Sequence, residues 1–155
     1  MSNLLKIGQS APDFSLKDSD GETVTLDDLK GAPFILYFYP RDNTPGCTKE
    51  ACQFRDLIDA FEEMNFLVVG VSPDGEASHQ KFIRDHELTF PLLCDTQLDL
   101  AGKCGVVKTG DDGKKGIVRS TFIFDEEGVV QWVESPVSVE GHAERVMRAA
   151  EDVFA

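Results

Sequence analysis

Phe34 Ile35 Leu36 Tyr37 Phe38 Tyr39 Pro40 Arg41 Asp42 Asn43 Thr44 Pro45 Gly46 Cys47 runs from an apolar strand pattern, through a loop punctuated by proline and glycine, into a helix. The six apolar residues are too short a run for a buried helix and read as a strand. The strand ends where Pro40 has no N–H to give to a ladder. From Cys47 to Met64 the apolar residues Ala51, Phe54, Leu57, Ile58 and Phe61 recur at helical spacing. Cys47 then lies near the first helical turn, where unpaired backbone N–H groups and the positive end of the helix dipole stabilise a sulfur anion. Cysteines so placed have pKa values depressed by roughly one to several units.

Outward from this stretch, extended and helical patterns alternate. Thr23 to Leu26 reads as a short edge strand after an Asp20 Gly21 turn, and Asp27 to Lys30 as one helical turn stopped by Gly31. Phe66 to Ser72 reads as a buried strand, Gly75 to His86 as a helix, Pro91 to Cys94 as an extended piece, and Gln97 to Lys103 as a short helix closed by Gly105. Residues 108–116 read as a polar, glycine-rich loop. Ser120 to Phe124 and Val129 to Val133 read as a hairpin turning at residues 125–128, and Glu140 to Phe154 as an amphipathic helix with Ala143, Val146, Met147, Ala150 and Val153 on its apolar face. This order implies an α/β (α+β) layer with a thioredoxin-like fold, a central mixed β-sheet flanked by helices.

A chain of 155 residues is expected to form a single domain over 1–155. No apolar run approaches the roughly 20 residues that span a bilayer, and Met1 to Lys6 lacks a secretory pattern. A cytoplasmic protein is therefore expected, in a compartment where paired cysteines are more often catalytic than structural. A net charge of −13, with only 15 Lys and Arg, opposes a nucleic-acid surface. The histidines His79, His86 and His142 fall on polar helical stretches and are expected to be solvated. No Cys-x-x-Cys or His-x-x-x-His pair suggests a metal site.

Pro40, Thr44 and Cys47 match the Pro-x-x-x-Thr-x-x-Cys signature of peroxiredoxins. The longer run from Tyr37 to Cys52, with Thr44 Pro45 Gly46 Cys47 Thr48 Lys49 Glu50 Ala51 Cys52 at its centre, resembles the bacterioferritin comigratory protein or peroxiredoxin Q branch. The resemblance extends from Ala11 Pro12 Asp13 Phe14 to Ser120 Thr121 Phe122 Ile123 Phe124 Asp125. It implies a thiol peroxidase acting on hydrogen peroxide and organic hydroperoxides without metal, haem or flavin. Cys47 is implied as the peroxidatic nucleophile, Cys52 as the resolving thiol, Arg119 as the active-site guanidinium and Pro40 as the shaper of the pocket. Thioredoxin is the implied reductant, with glutaredoxin second, and a monomer is expected because the resolving thiol is in the same chain.

The residue chemistry stands beside that resemblance. Reducing a peroxide places negative charge on sulfur and then on oxygen, so donors must surround both atoms. Thr44 offers a hydroxyl three residues before Cys47, in reach of the sulfur or a peroxide oxygen, with a helix cap as its other reading. Arg119 carries a fork that stays charged, and is otherwise a solvated strand-end charge. Pro40 serves equally as a strand terminator. Glu50 reads by default as an acidic residue favoured at a helix N-terminus, with the orienting of a neighbouring donor as its other reading. Cys47 and Cys52 on one intact helix would be about 8–9 Å apart at Cα, beyond the ~7 Å reach of a disulfide, so the helix start must unwind for them to join. Cys94 and Cys104 read as small buried residues. A general thiol–disulfide oxidoreductase and a non-catalytic thioredoxin-like binding module remain alternatives at this point.

Overall fold

The computed structural model describes residues 3–153. In chain order the elements are β1 (Ser15–Asp18), β2 (Thr23–Thr25), α1 (Leu26–Leu29), β3 (Phe34–Phe38), α2 (Pro45–Glu63), β4 (Leu67–Ser72), α3 (Glu76–His86), β5 (Leu92–Cys94), α4 (Asp99–Lys103), β6 (Val107–Thr109), β7 (Lys115–Ile117), β8 (Ser120–Phe124), β9 (Val130–Glu134) and α5 (His142–Val153). Phe154, expected to end the last helix, lies outside the described residues.

Seven strands form one sheet in the order β2-β1-β5-β4-β3-β8-β9. The pairs β3/β4 and β4/β5 are parallel, while β1/β2, β1/β5, β3/β8 and β8/β9 are antiparallel. Parallel neighbours require crossovers, and α2 and α3 supply them. The result is the mixed sheet flanked by helices that the element order implies.

β3 is buried on both sides, and its period-two alternation divides the core. Ile35, Tyr37 and Tyr39 face a cluster completed by Ala51, Phe54, Ile58 and Phe61 from α2, Phe82 from α3 and Val146 and Ala150 from α5. Phe34, Leu36 and Phe38 face the other cluster, with Leu29 from α1 and Leu100 and Ala101 from α4. Each such fully buried large side chain contributes roughly 1.5–3 kcal/mol relative to exposure. The apolar positions read at helical spacing on α2 are thus the ones that fasten it to the sheet.

Two stretches differ from expectation. Residues 15–18 form an unforeseen strand, because an exposed, alternating Ser-Leu-Lys-Asp segment becomes a strand only through its partners on β2 and β5. The segment read as a loop over 108–116 is a hairpin, with Val107 opposite Ile117 and Thr109 opposite Lys115 across a tight turn. Its polar residues are exposed while Ile117 enters the core, and that buried anchor sets the pairing.

Candidate active site around Cys47

Pro45 occupies the first turn of α2, where its missing N–H costs no hydrogen bond, and Thr44 is the N-cap residue. Cys47 therefore sits in that first turn, buried, with its sulfur inside the α2 side of the core. Arg119 reaches it from 72 positions away in sequence. The register of β3 against β8 explains how: Ser120 lies opposite Phe38, so Arg119 falls just past the end of β3, beside the loop that leads into α2. Its terminal nitrogen donates to Cys47 Sγ at 3.4 Å, and its other terminal nitrogen donates to Glu50 Oε1 at 2.7 Å. A fixed guanidinium and the free N–H groups of a helix start both favour negative charge on the sulfur.

Glu50 is one turn beyond Cys47 on the same helix face. It is fully buried, not the solvated N-terminal acid that its position suggests. Burial pushes its carboxyl up to about 7 despite the lowering effect of Arg119. Among the described residues its second oxygen, Oε2, has no hydrogen-bond partner, and neither does the buried Tyr37 hydroxyl. His142 Nε2 lies 3.7 Å from Oε2. That imidazole is wholly buried on α5 and also meets Thr121 Oγ1 at 2.8 Å and Glu134 Oε2 at 3.4 Å. Burial, partly opposed by Glu134, lowers the His142 pKa to about 4 and leaves the ring neutral.

The expectation of solvated histidines fails for His79 as well. Its Nδ1 meets Asp42 Oδ2 at 2.7 Å and its Nε2 meets the Leu93 carbonyl at 2.9 Å, both ring nitrogens facing acceptors in the interior. Asp42 also accepts from the Tyr39 hydroxyl at 2.6 Å and from Ser78 Oγ at 2.8 Å. Its N–H donates to Asp74 Oδ2 at 2.7 Å. The loop before Cys47 is thereby pinned to α3 and the end of β4. His86 is half-buried, its Nε2 within 3.1 Å of Asn43 Oδ1. The buried hydrogen-bond partners of His79 and His142, which are Leu93, Asp42 and Thr121, lie 14 to 37 positions away in sequence and leave no local signal.

Thr44 Oγ1 donates to the Arg41 carbonyl at 3.0 Å, and not to Cys47 Sγ or to the helix backbone. The hydroxyl turns back because the carbonyl three residues earlier closes a tight local turn, while the sulfur points inward to Arg119. Pro40 is half-buried just after Tyr39, whose N–H makes the last bond to β4, through Val71, at 3.0 Å. Cys52 is half-buried on α2, and all four cysteines are free thiols. Cys94 and Cys104 are buried, and desolvation raises their thiols to about 11 and about 12. A raised thiol pKa keeps the thiolate, the reactive form, scarce near neutral pH.

Two polar tethers hold the early part of α2 to the start of α5. Gln53 Nε2 donates to the Val139 carbonyl at 3.0 Å, and Lys49 pairs with Glu140. Among the described residues no His, Cys, Asp and Glu group is arranged to hold a metal ion, and no helix is long and apolar enough to cross a membrane.

Comparison with known proteins finds relatives over most of the chain. Residues 7–133 match the family model described as the AhpC/TSA family. The peroxiredoxin Bcp of Bacillus subtilis is 45% identical over 154 residues, covering 96% of this chain and 97% of the relative. A cysteine-to-serine mutant of Xylella fastidiosa PrxQ superposes with a TM-score of 0.92 at 33% identity, over 97% of this chain and 98% of the other. The bacterioferritin comigratory protein of Xanthomonas campestris, studied as trapped intermediate and ligand complexes for its alkyl peroxide reduction activity, superposes with a TM-score of 0.88 at 34% identity, over 98% of each chain.

Proposed function

We propose that this chain, which belongs to the AhpC/TSA family, is a thiol-dependent peroxidase that reduces hydrogen peroxide and organic hydroperoxides at Cys47. The observation that carries the reading is the buried Cys47 sulfur in the first turn of α2 with the Arg119 guanidinium at 3.4 Å. The Cys47 thiolate attacks the terminal oxygen of the hydroperoxide. An S–O bond forms, the O–O bond breaks, and an alcohol or water leaves after gaining a proton. Arg119 holds the sulfur and the peroxide oxygen together. The Thr44 hydroxyl exchanges its Arg41 partner for a peroxide oxygen, and Pro40 walls the pocket.

The resulting sulfenic acid condenses with Cys52 to an intramolecular disulfide, releasing water. On intact α2 the two Cα atoms are about 8–9 Å apart, so the first turns unwind before the bond closes. A dithiol protein, thioredoxin before glutaredoxin, then reduces the disulfide. The single-chain cycle suits a monomer in a reducing cytoplasm, built as one domain.

Single-turnover reaction of the reduced protein with one equivalent of hydrogen peroxide tests the reading. Rapid thiol loss in the native chain, abolished by Cys47→Ser, with a trappable sulfenic acid in Cys52→Ser, is the expected pattern. Slow reaction in all three would overturn it in favour of a binding module. Rapid insulin disulfide reduction in place of peroxide turnover would favour a general oxidoreductase.

A further inference from the structure

The buried site contains one permanent cation, Arg119, and two groups able to carry the opposing charge, Cys47 and Glu50, each bonded to a different nitrogen of the guanidinium. A guanidinium cannot be deprotonated. Two full anions on this one cation would leave an uncompensated charge in an apolar interior, which is strongly unfavourable. The environment of Glu50 fits a carboxyl that gains and loses a proton. It is fully buried, Oε2 is unpartnered, and its pKa stands at about 7.

Resting on the peroxidase reading, we propose that Glu50 balances the charge of the reaction, protonated while Cys47 is a thiolate and ionised once Cys47 is a sulfenic acid, with His142 carrying its proton toward Glu134. Glu50 acts through Arg119 and is a positioning residue. Before attack the site holds a thiolate, a guanidinium and a neutral carboxyl. Afterwards it holds a neutral sulfenic acid, the same guanidinium and a carboxylate, so the buried net charge is unchanged. Sulfur gives two electrons to the peroxide; the departing alkoxide takes up one proton and Glu50 releases one, the two being exchanged through solvent. Reduction of the disulfide restores the thiolate, and Glu50 is reprotonated.

The side chains along the route lie just beyond hydrogen-bond reach of one another, so His142 must turn from Thr121 and close the gap to Glu50 before a proton passes. His142 Nε2 is 3.7 Å from Glu50 Oε2, and Nδ1 is 3.4 Å from Glu134 Oε2, whose side chain is 20% exposed. A neutral imidazole takes a proton at one nitrogen while releasing one at the other. The charged and titratable groups facing this path are Arg119 before β8, Cys47 on α2, Tyr37 on β3, Glu134 on β9 and Arg145 on α5. Arg145 grips Glu134 through two nitrogens at 2.7 and 3.0 Å and holds its pKa down, so that Glu134 passes the proton to solvent rather than keeping it; the same Nη2 lies 3.4 Å from His142 Nδ1. Thr121 Oγ1, at 2.8 Å from Nε2, fixes the ring plane before that turn.

The test uses Cys52→Ser, which stops at the sulfenic acid. One equivalent of peroxide is added, the sulfenic acid is quantified with a β-diketone trap, and an infrared difference spectrum is recorded. One protonated-carboxyl band is expected to vanish per Cys47 oxidised, with no net proton uptake from solution. In Cys52→Ser/Glu50→Gln that band change is expected to be absent, with one proton taken up per Cys47. Isotope labelling of glutamate carboxyls in Cys52→Ser assigns the band even where the Gln variant does not fold. In Cys52→Ser/His142→Phe the band is expected to vanish at least several-fold more slowly than sulfenic acid forms. Sulfenic acid formed with no carboxyl band lost, or with a loss that survives Glu50→Gln, would overturn the proposal while leaving the peroxidase reading intact. Unchanged kinetics in His142→Phe would overturn the route. Absence of sulfenic acid would overturn the peroxidase reading itself and the proposal with it.

Discussion

A Cβ added to Gly46 would lie 3.2 Å from the terminal nitrogen of Arg119, the nitrogen that donates to Cys47. The absence of a side chain at position 46 is therefore what lets the guanidinium lie across the helix start. In Gly46→Ala, Arg119 must retreat by a few tenths of an ångström, with the Val139 side chain on the same side. Stopped-flow peroxide reaction of this variant is expected to slow about tenfold, equivalent to roughly 1.4 kcal/mol, with little change in melting temperature.

Arg119→Met removes the donor to the sulfur while keeping an unbranched side chain of similar reach. Loss of a buried donor aimed at developing charge slows reactions by about 10²–10³, and a comparable drop is expected in the peroxide rate of this variant. Stability is expected to fall by less than the ~3–5 kcal/mol typical of a broken buried ion pair, because Glu50 can escape its unpaired state by taking a proton. Measured against pH, the variant's stability loss is expected to grow above neutrality, where keeping that proton becomes costly.

Glu50 and His142 act oppositely on the pH dependence of folding. The Glu50 pKa is raised from 4.5 to about 7 on folding, so the native state binds more protons than the unfolded chain between those values and stability falls as pH rises through them. The His142 pKa is lowered from 6.5 to about 4, so the native state binds fewer protons there and stability is lost as pH falls from 6.5 toward 4. In the native chain the two slopes largely offset each other. Urea denaturation is expected to show a steeper acid destabilisation below pH 6.5 in Glu50→Gln, and a steeper decline from pH 4.5 to 7 in His142→Phe.

Gln53→Ala is expected to accelerate disulfide formation. The Gln53 bond to the Val139 carbonyl at 3.0 Å and the Lys49 pair with Glu140 tie the early turns of α2 to the segment before α5. Unwinding for the Cys47 to Cys52 bond must release them. A neutral side-chain hydrogen bond contributes about 1 kcal/mol, so the sulfenic acid of Gln53→Ala is expected to be resolved several-fold faster. Amide exchange over 45–53 is expected to quicken in parallel, while exchange in β3 is unaltered.

The sequence made α2 legible because its apolar spacing, Pro45 and Gly46 are local signals of a helix and its start. It made β3 legible because Phe34 to Tyr39 cannot be solvated. Arg119 was legible only by resemblance, since what brings it to Cys47 is the pairing of Phe38 with Ser120, a tertiary register. His79 and His142 depart from the solvated reading, and the burial of Glu50 leaves no sequence signal, for one physical reason: polar residues read as solvent-facing unless a partner is visible, and these partners come from other elements. Thr44 stands at the N-cap position but makes no side-chain cap bond; its hydroxyl donates to the Arg41 carbonyl, a rotamer set by competition among acceptors that no spacing reveals. The hairpin of β6 and β7 was hidden because only Ile117 in it is buried.

The clasp of Asp42 by His79, Ser78 and Tyr39 lies just upstream of the helix that has to unwind. It acts as a mooring post: Asp42, with Asn43 beside His86, ties the chain to α3, and on the peroxidase reading the movement begins beyond that point. On the peroxidase reading the excursion of each cycle is thus bounded on its upstream side, and the core layer between the sheet and α1 and α4, to which α2 contributes no residue, stays undisturbed. On that reading the thiol moves toward its partner while the strand pairing of β3 with β4 and β8 stays closed.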